Sequence, residues 1–270
     1  MLERLPRQPL GRAARRLCDQ ILRAPVSLAA GVVIALSLFF LAFPGVDLWV
    51  SRAFYVPGQG FIAVRDHLLV VFRNSIDLLV MVAAVVMLAG LAVKLARPQR
   101  PSPIPPNRVL FLFSSLILGP GLLVNVILKD HWGRPRPSMI AAFGGSSPYV
   151  PVWEISHFCS RNCSFVAGEP SAAAWLVGAA LLLPGGWRLV GMIMAGTYAI
   201  FISLNRIAFG GHFLSDVLLS VALTFLVMAL LHRLLVERPP AALANPILEA
   251  NLTTVGRRLK GAERPAAGTR

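Results

Sequence analysis

The chain has 270 residues, of which 56% are apolar and only 14% are charged, and its formal net charge is +14. This composition excludes an ordinary soluble domain, in which about 25% of residues are charged. The basic residues are scattered between apolar runs and in the two tails rather than along one folded surface, so we do not expect a nucleic-acid partner.

Six apolar segments approach the length of about 20 residues that a helix needs to cross a bilayer. No segment alternates with the period of two that barrel strands require, so helices are indicated. We therefore predict an all-α polytopic membrane protein, a six-transmembrane-helix bundle over residues 26–238. In chain order the predicted spans are residues 26–43, 76–95, 109–128, 171–183, 189–204 and 213–235.

Lysine and arginine are concentrated on one side of this predicted bundle, in residues 1–25, in residues 94–108 and after the sixth span. Short cytoplasmic loops are enriched in these residues, so we place both termini in the cytoplasm and the protein in the bacterial inner membrane. Residues 1–25 and 239–270 are predicted to be basic cytoplasmic tails, the second of them poorly ordered. We interpret the first span as a retained helix, because no small-residue cleavage site follows it.

The third predicted span ends in a cluster of basic residues, Lys129, Arg134 and Arg136, which two prolines stiffen. Phosphate oxygens are bound well by lysine and by the forked donors of arginine. Snorkelling side chains at a helix end are the alternative, but this loop lies on the predicted outer side, where basic residues are scarce. Asp130 and Arg134 are interpreted as rim or salt-bridge residues beside a phosphate site.

The same outer loop contains Cys159 and Cys163. An oxidising compartment favours a disulfide between them, and two free thiols are the alternative. Two cysteines without paired histidines make a poor zinc site, and no acidic cluster for magnesium is visible in the sequence. We therefore expect neither a metal nor another cofactor.

A second cluster surrounds the start of the sixth predicted span, where Arg206, His212 and Asp216 follow one another. His212 and Asp216 are four residues apart and share a helix face, so the carboxylate can hold one imidazole nitrogen and leave the other free as a nucleophile. A capping histidine and a carboxylate that favours the helix N-terminus are the alternatives. Both clusters lie at outer ends of spans, which predicts one phosphate-handling active site at the extracytoplasmic face.

These two clusters resemble the motifs of the type 2 phosphatidic acid phosphatase family, whose fold is shared with the vanadium haloperoxidases. Lys129 and Arg136 match the family pattern K-x6-R-P. Arg206, His212 and Asp216 match S-R-x5-H-x3-D, with asparagine in place of the serine. The resemblance implies that His212 attacks phosphorus and that Asp216 orients it. The lysine and the two arginines would neutralise the phosphate oxygens.

The middle motif of the family, P-S-G-H, is altered in this chain. Residues 163–169 read C-S-F-V-A-G-E, so Gly168 is retained while Glu169 stands where the family has its histidine. By resemblance Gly168 would lie against the phosphate and Glu169 would protonate the leaving oxygen. A glutamate before a proline is also a common way to begin a helix, and both roles remain open. His131 and His157 in the same loop are weaker candidates for the acid.

The sequence therefore predicts a metal-independent membrane lipid phosphatase that hydrolyses a phosphate or pyrophosphate monoester at the periplasmic face through a phosphohistidine. Lipid A phosphate, undecaprenyl pyrophosphate and phosphatidylglycerol phosphate are the substrate classes that fit this face of the membrane. Two alternatives remain, namely transfer of the phosphate to another lipid and a non-catalytic member that only binds lipid phosphates.

Overall fold

The computed structural model describes residues 24–262, and within that range helices make up most of the fold. One antiparallel hairpin, β1 (Tyr55–Val56) paired with β2 (Gly60–Phe61), is the only sheet in the described part of the chain. The helices are α1 (Pro25–Ala42), α2 (Gly45–Arg52), α3 (His67–Ala96), α4 (Pro106–His131), α5 (Gly168–Ala180), α6 (Trp187–Ala208), α7 (Leu214–Glu237) and α8 (Asn245–Ala262).

Five of these helices, α1, α3, α4, α6 and α7, are long and apolar enough to cross a bilayer. Many of their large apolar side chains are exposed, for example Leu38 and Met194 at 62% and 68%. Such extensive apolar exposure is unusual on a soluble monomer, whereas a surface that contacts lipid requires it. The prediction of an all-α polytopic membrane protein is confirmed.

The fourth predicted span, residues 171–183, has the predicted length but begins three residues earlier, at Gly168. Helix α5 has 13 residues and is therefore only about 20 Å long, against a hydrocarbon layer of about 30 Å. Most of its side chains are buried by its neighbours, and the indole nitrogen of Trp175 donates to Leu112 O and Ser115 Oγ of α4 at 3.1 Å each. A helix that protein surrounds needs no bilayer-length apolar surface, so α5 is the central helix of the bundle rather than a sixth span of full length.

Helix α4 is not regular along its whole length, because it passes through a π-helical stretch, Ile117–Leu128, that includes Pro120. Proline has no N–H group to donate, and such wide turns are frequent where the α-helical ladder is interrupted. The side-chain amide of Asn125 donates to the carbonyl of Pro120 at 2.7 Å. This arrangement holds Asn125 one turn below Lys129, at the end of α4 that faces the candidate site.

The helix ends that carry the sequence motifs come together at one end of the bundle. The C-terminal ends of α4 and α6 and the N-terminal ends of α5 and α7 meet there, and the loop between α4 and α5 covers them. Beneath them Phe40, Val124, Phe165 and Leu219 form a buried apolar cluster that joins α1, α4, this loop and α7. The packing of four helices and one loop thus fixes the relative positions of the site residues.

At the other end of the bundle, the segment that we predicted to be poorly ordered contains helix α8. Its Glu249 forms an ion pair with the buried amine of Lys94 at 2.7 Å and accepts from Ser102 Oγ at 2.6 Å. A buried lysine is costly unless it is paired, so this contact favours an ordered α8. Residues 1–23 and 263–270, which include most of the predicted N-terminal tail, lie outside the described residues.

Candidate active site

His212, which immediately precedes the turn into α7, is fully buried at the centre of the candidate site. Its Nδ1 lies 2.6 Å from the carbonyl oxygen of Ser164. A carbonyl only accepts hydrogen bonds, so Nδ1 carries the proton and Nε2 keeps its lone pair. Burial, and then the charges of Arg206, Lys129 and Arg136, lower the pKa of His212 well below its ordinary value of 6.5. The imidazole is therefore neutral at physiological pH, with Nε2 available as a nucleophile.

The Asp216 carboxylate does not hold the imidazole, contrary to the expectation from its spacing to His212. Its oxygens instead accept from Arg134, from Ser164 Oγ and, at 2.8 Å, from the backbone N–H of Phe213. These three donors occupy both oxygens of the Asp216 carboxylate. Asp216 thus reaches the imidazole only through Ser164, whose hydroxyl it fixes and whose carbonyl holds Nδ1.

Arg134 is buried at the centre of an ion-pair network, so of its two predicted roles the structure shows the salt-bridge role and not the rim role. Its guanidinium contacts the carboxylates of Asp47 and Asp216, the former at 2.8 Å, and its Nε donates to Val150 O at 2.8 Å. Ser215 completes the network by donating from its N–H to Asp47 at 2.8 Å. The network joins α2, the long loop and the start of α7, and the separation of 87 residues between Asp47 and Arg134 hid it from sequence reasoning.

The predicted phosphate-binding cations surround the free face of His212. The side chain of Arg206 is buried, and it packs against Gly211, where a Cβ atom would lie 2.7 Å from its guanidinium. Arg136 donates twice to the carbonyl of Asn162, at 3.1 and 2.7 Å, which holds it over the site. Lys129 lines the adjoining cavity from the end of α4.

Glu169 lies directly between the histidine and one of these arginines. Its Oε1 is 3.3 Å from Nε of Arg206, and its Oε2 is 3.9 Å from Nε2 of His212. Glu169 Oε2, Arg206 Nε and His212 Nε2 are all buried and have no hydrogen-bond partner among the described residues. Buried polar atoms nearly always have a hydrogen-bond partner, so these three atoms, of which Arg206 Nε has only its ion-pair contact with Glu169, mark a position for a bound ligand. Their surroundings favour an anionic one.

Gly168 forms the N-terminus of α5 at the edge of this position. The first N–H groups of a helix have no partner within it, and they favour an anion. A Cβ atom at Gly168 would lie 2.7 Å from the side-chain oxygen of Asn125, so a larger residue would have to displace the Asn125 side chain. Glycine thus allows α5 to begin close to Asn125 of α4.

Comparison with known proteins agrees with this geometry. The model of the PAP2 superfamily matches residues 108–240. The chain is 34% identical over 222 residues to a lipid A 4'-phosphatase of Rhizobium leguminosarum, an alignment that covers 73% of this chain and 90% of that protein. A lipid A 4'-phosphatase of Francisella tularensis subsp. novicida is 34% identical over 207 residues, with coverage of 73% and 90%. The chain belongs to the PAP2 superfamily.

A further relative, a lipid A 4'-phosphatase of Rhizobium etli, is 42% identical over 117 residues, or 43% of this chain and 46% of that protein. No solved structure matches the chain. As a PAP2 member with these relatives, the protein is a membrane lipid phosphatase and hydrolyses phosphoric monoesters.

Two departures from the PAP2 motifs now have a structural account. Asn205, in place of the motif serine, donates to Leu69 O at 3.1 Å and ties α6 to α3. Glu169, in place of the motif histidine, begins α5 and also points into the site, so the two interpretations of this residue are compatible. His131 turns back to the carbonyl of Val126 at 2.9 Å, and His157 is exposed on the loop. Neither histidine lines the cavity beside Lys129 and Glu169.

The sequence analysis also missed a polar cavity of about 240 Å³ that adjoins the PAP2 site. Helix α3 supplies Arg73, Asn74 and Asp77 to its wall, opposite Lys129 and Glu169. The available signal was three polar residues near the start of an otherwise apolar helix, which is unusual in a membrane span. Within residues 24–262 no group of three histidine, cysteine or acidic side chains converges as metal ligands.

Proposed function

We propose that this PAP2 member is a lipid A phosphatase that works at the periplasmic face of the bacterial inner membrane through a phosphohistidine at His212. The observation that carries this proposal is the buried Nε2 of a neutral imidazole, which has no hydrogen-bond partner among the described residues and lies 3.9 Å from Glu169, the residue that also contacts Arg206. A nucleophile with its lone pair free beside preorganised cations is what attack on a phosphate monoester requires.

In the first step, Nε2 of His212 attacks phosphorus and the bond from phosphorus to the lipid oxygen breaks. Glu169, protonated, gives its proton to that leaving oxygen. In the second step water attacks the phosphohistidine, Glu169 takes a proton from the water, and the P–N bond breaks to release phosphate. Lys129, Arg136 and Arg206 stabilise the charge on the phosphate oxygens through both steps.

The position of Glu169 adds a condition to this cycle. In the empty site its carboxyl group lies between His212 and Arg206, where phosphate oxygens have to bind. A charged carboxylate at that distance would repel a phosphate dianion. Binding of substrate therefore has to displace the Glu169 carboxyl group from its contact with Arg206.

The choice of lipid A as substrate is supported by the relatives, three of which carry the name lipid A 4'-phosphatase. The choice of the periplasmic face is supported by the basic residues at the opposite end of the bundle. It is supported as well by Cys159 and Cys163, whose sulfur atoms are bonded in the structure, because disulfides persist in oxidising compartments.

The substrate proposal is tested by phosphate release from purified protein with four lipids: lipid A, undecaprenyl pyrophosphate, phosphatidylglycerol phosphate and phosphatidic acid. We expect the highest kcat/KM for lipid A, and mass spectrometry of the product identifies which phosphate is lost. His212→Ala is the control for contaminating phosphatase. A clear preference for one of the other lipids would refute the assignment of lipid A as the substrate. Binding without release of phosphate would favour the non-catalytic alternative.

The orientation is tested with two single cysteines at exposed positions, Ser146→Cys in the loop over the site and Arg258→Cys on α8. Both are made in a Cys18→Ser chain with the disulfide retained. We expect a membrane-impermeant maleimide to label Ser146→Cys in intact spheroplasts and Arg258→Cys only after permeabilisation. The reverse pattern would contradict the proposed orientation.

A further inference from the structure

One wall of the cavity beside the phosphate position consists of residues that have no role in the proposed phosphate transfer. We call the four residues of this wall the headgroup patch: Arg73, Asn74 and Asp77 of α3 and Asn125 of α4. Asp77 is exposed, and none of the described residues forms an ion pair or side-chain hydrogen bond with its carboxylate. Both carboxylate oxygens of Asp77 are therefore free to accept hydrogen bonds from a ligand in the cavity.

Arg73 is held in place at the border between the headgroup patch and the phosphate position. Its guanidinium lies 5.1 Å from the ring centre of Phe209, and its Nε donates to the side-chain oxygen of Asn74 at 3.1 Å. Burial chiefly, and in part the charge of Arg73, lower the pKa of Arg136. Arg73 is therefore close enough to act on the same ligand as the phosphate-binding cations.

The headgroup patch offers both acceptors and donors for hydrogen bonds. Asn125 uses its amide nitrogen on Pro120 O, which leaves its side-chain oxygen as an acceptor beside Gly168. Asn74 accepts from Arg73 and keeps its amide nitrogen as a donor. With the two acceptor oxygens of Asp77, the patch matches a group that carries an amide, a hydroxyl and ring oxygens next to its phosphate.

A sugar ring has this chemistry, whereas the glycerol or isoprenoid part of other lipid phosphates brings few or no hydroxyls to the same place. The cavity volume of about 240 Å³ lies below the range of roughly 300–1,000 Å³ for drug-sized ligands. It suits one ring with its phosphate rather than a larger headgroup. The acyl chains would remain in the bilayer beside α3 and α4.

We propose that the headgroup patch binds the sugar ring that bears the reacting phosphate, and that Asp77 accepts a hydrogen bond from the amide N–H or the free hydroxyl of that ring. This inference rests on the proposed function, because it assigns the part of a glycolipid phosphate that the motif residues do not contact. It makes Asp77 and Asn74 determinants of specificity, while the motif residues handle any phosphate monoester.

The test compares Asp77→Ala and Asn74→Ala with the wild type on lipid A, on phosphatidic acid and on an aryl phosphate. We expect Asp77→Ala to lower kcat/KM for lipid A by about 10- to 100-fold, the range for losing hydrogen bonds to a charged acceptor, and to change the other two substrates by less than about 3-fold. Asn74→Ala should have the same pattern with a smaller loss. Glu154→Gln, an exposed acid in the loop over the site, is the matched control and should change nothing.

An equal loss on all three substrates, or none on lipid A, would overturn the role of Asp77. A wild type that hydrolyses phosphatidic acid but not lipid A would instead refute the proposed substrate.

If lipid A proves not to be the substrate, inhibition of the aryl phosphatase activity still tests the role of the headgroup patch. Glucosamine 4-phosphate should inhibit the wild type more strongly than inorganic phosphate does, and Asp77→Ala should abolish that difference. Equal inhibition of the wild type by both compounds would overturn the inference on its own.

Discussion

Two clusters of charged residues lie side by side at the same end of the bundle and differ in how completely their atoms are paired. Around Arg134 the guanidinium nitrogens donate to two carboxylates, a hydroxyl and a carbonyl. Around His212 three buried atoms, on His212, Arg206 and Glu169, have no hydrogen-bond partner among the described residues. We call the first cluster closed, because its guanidinium nitrogens have hydrogen-bond partners, and the second open, because three of its buried atoms have none. Arg134 of the closed cluster and Arg136 beside the open cluster are only two residues apart in the chain.

The pKa values of the two clusters move in opposite senses. Burial opposes the charge of Arg134, but Asp216 and Asp47 outweigh that effect and raise the pKa of Arg134 above its ordinary value. Burial and the neighbouring cations act together on His212 and lower its pKa. A closed cluster keeps its charge and stabilises the fold, whereas an open cluster keeps a neutral nucleophile ready among cations. The predictions below separate these two roles.

The largest effect is expected for His212→Ala. Removing a covalent nucleophile should lower kcat by at least about 10⁴-fold, because binding energy cannot replace it. Folding should be retained, which the elution profile in detergent and the melting temperature check. A variant that kept more than about a tenth of the wild-type rate would rule out covalent catalysis by His212.

Glu169→Gln should slow hydrolysis of lipid phosphates by about 10²–10⁴-fold, because their leaving oxygen needs a proton. An aryl phosphate, whose leaving group is stable without one, should be affected much less. Glu169→His serves as the control, since it restores the histidine of the family motif and should recover activity on lipids. Similar small effects on both substrate types would leave Glu169 only its role at the start of α5.

Arg134→Ala and Arg136→Ala test the contrast between the clusters directly. Arg134→Ala leaves two buried carboxylates without their partner and should destabilise the protein by about 3–5 kcal/mol. Arg136→Ala removes a partly exposed donor and should change the stability by less than about 1 kcal/mol, while kcat falls by about 10²–10³-fold. Unfolding in detergent and rates of phosphate release provide the two measurements. If Arg136→Ala proved the more destabilising variant, the distinction between the clusters would be lost.

The smallest effect is expected for the disulfide variant Cys159→Ser/Cys163→Ser. A bridge that closes so short a loop contributes at most about 2 kcal/mol. The loop carries Asn162, whose carbonyl holds Arg136, so activity should also fall by about 5-fold, which corresponds to one hydrogen bond of roughly 1 kcal/mol. Wild-type protein treated with reductant should behave like the variant. A loss as large as that of Arg136→Ala would show that the loop contributes more than this contact.

The motif cations could be predicted from the sequence because charges at the ends of apolar spans are conspicuous and their spacing matches a family. The partner of Asp216 could not, since the choice between His212 and Arg134 depends on a three-dimensional contact with Asp47, 87 residues from Arg134. Likewise the central position of α5 in the bundle could not be predicted, because it depends on burial by neighbouring helices, and apolarity alone does not report burial. The contacts of α8, such as the ion pair between Glu249 and Lys94 and the hydrogen bond from Ser102, join residues far apart in the chain, so the sequence did not reveal them.

The central claim, that the open cluster exists to form a phosphohistidine at His212, is tested most directly by trapping that intermediate. Purified protein is mixed with a lipid substrate that carries ³²P in the hydrolysable phosphate, and the reaction is stopped in alkali during a single turnover. We predict label that is stable in alkali and lost in acid, that maps to the peptide containing His212, and that is absent from His212→Ala. Product formed in the same turnover with no labelled protein, or with label on another residue, would contradict the account.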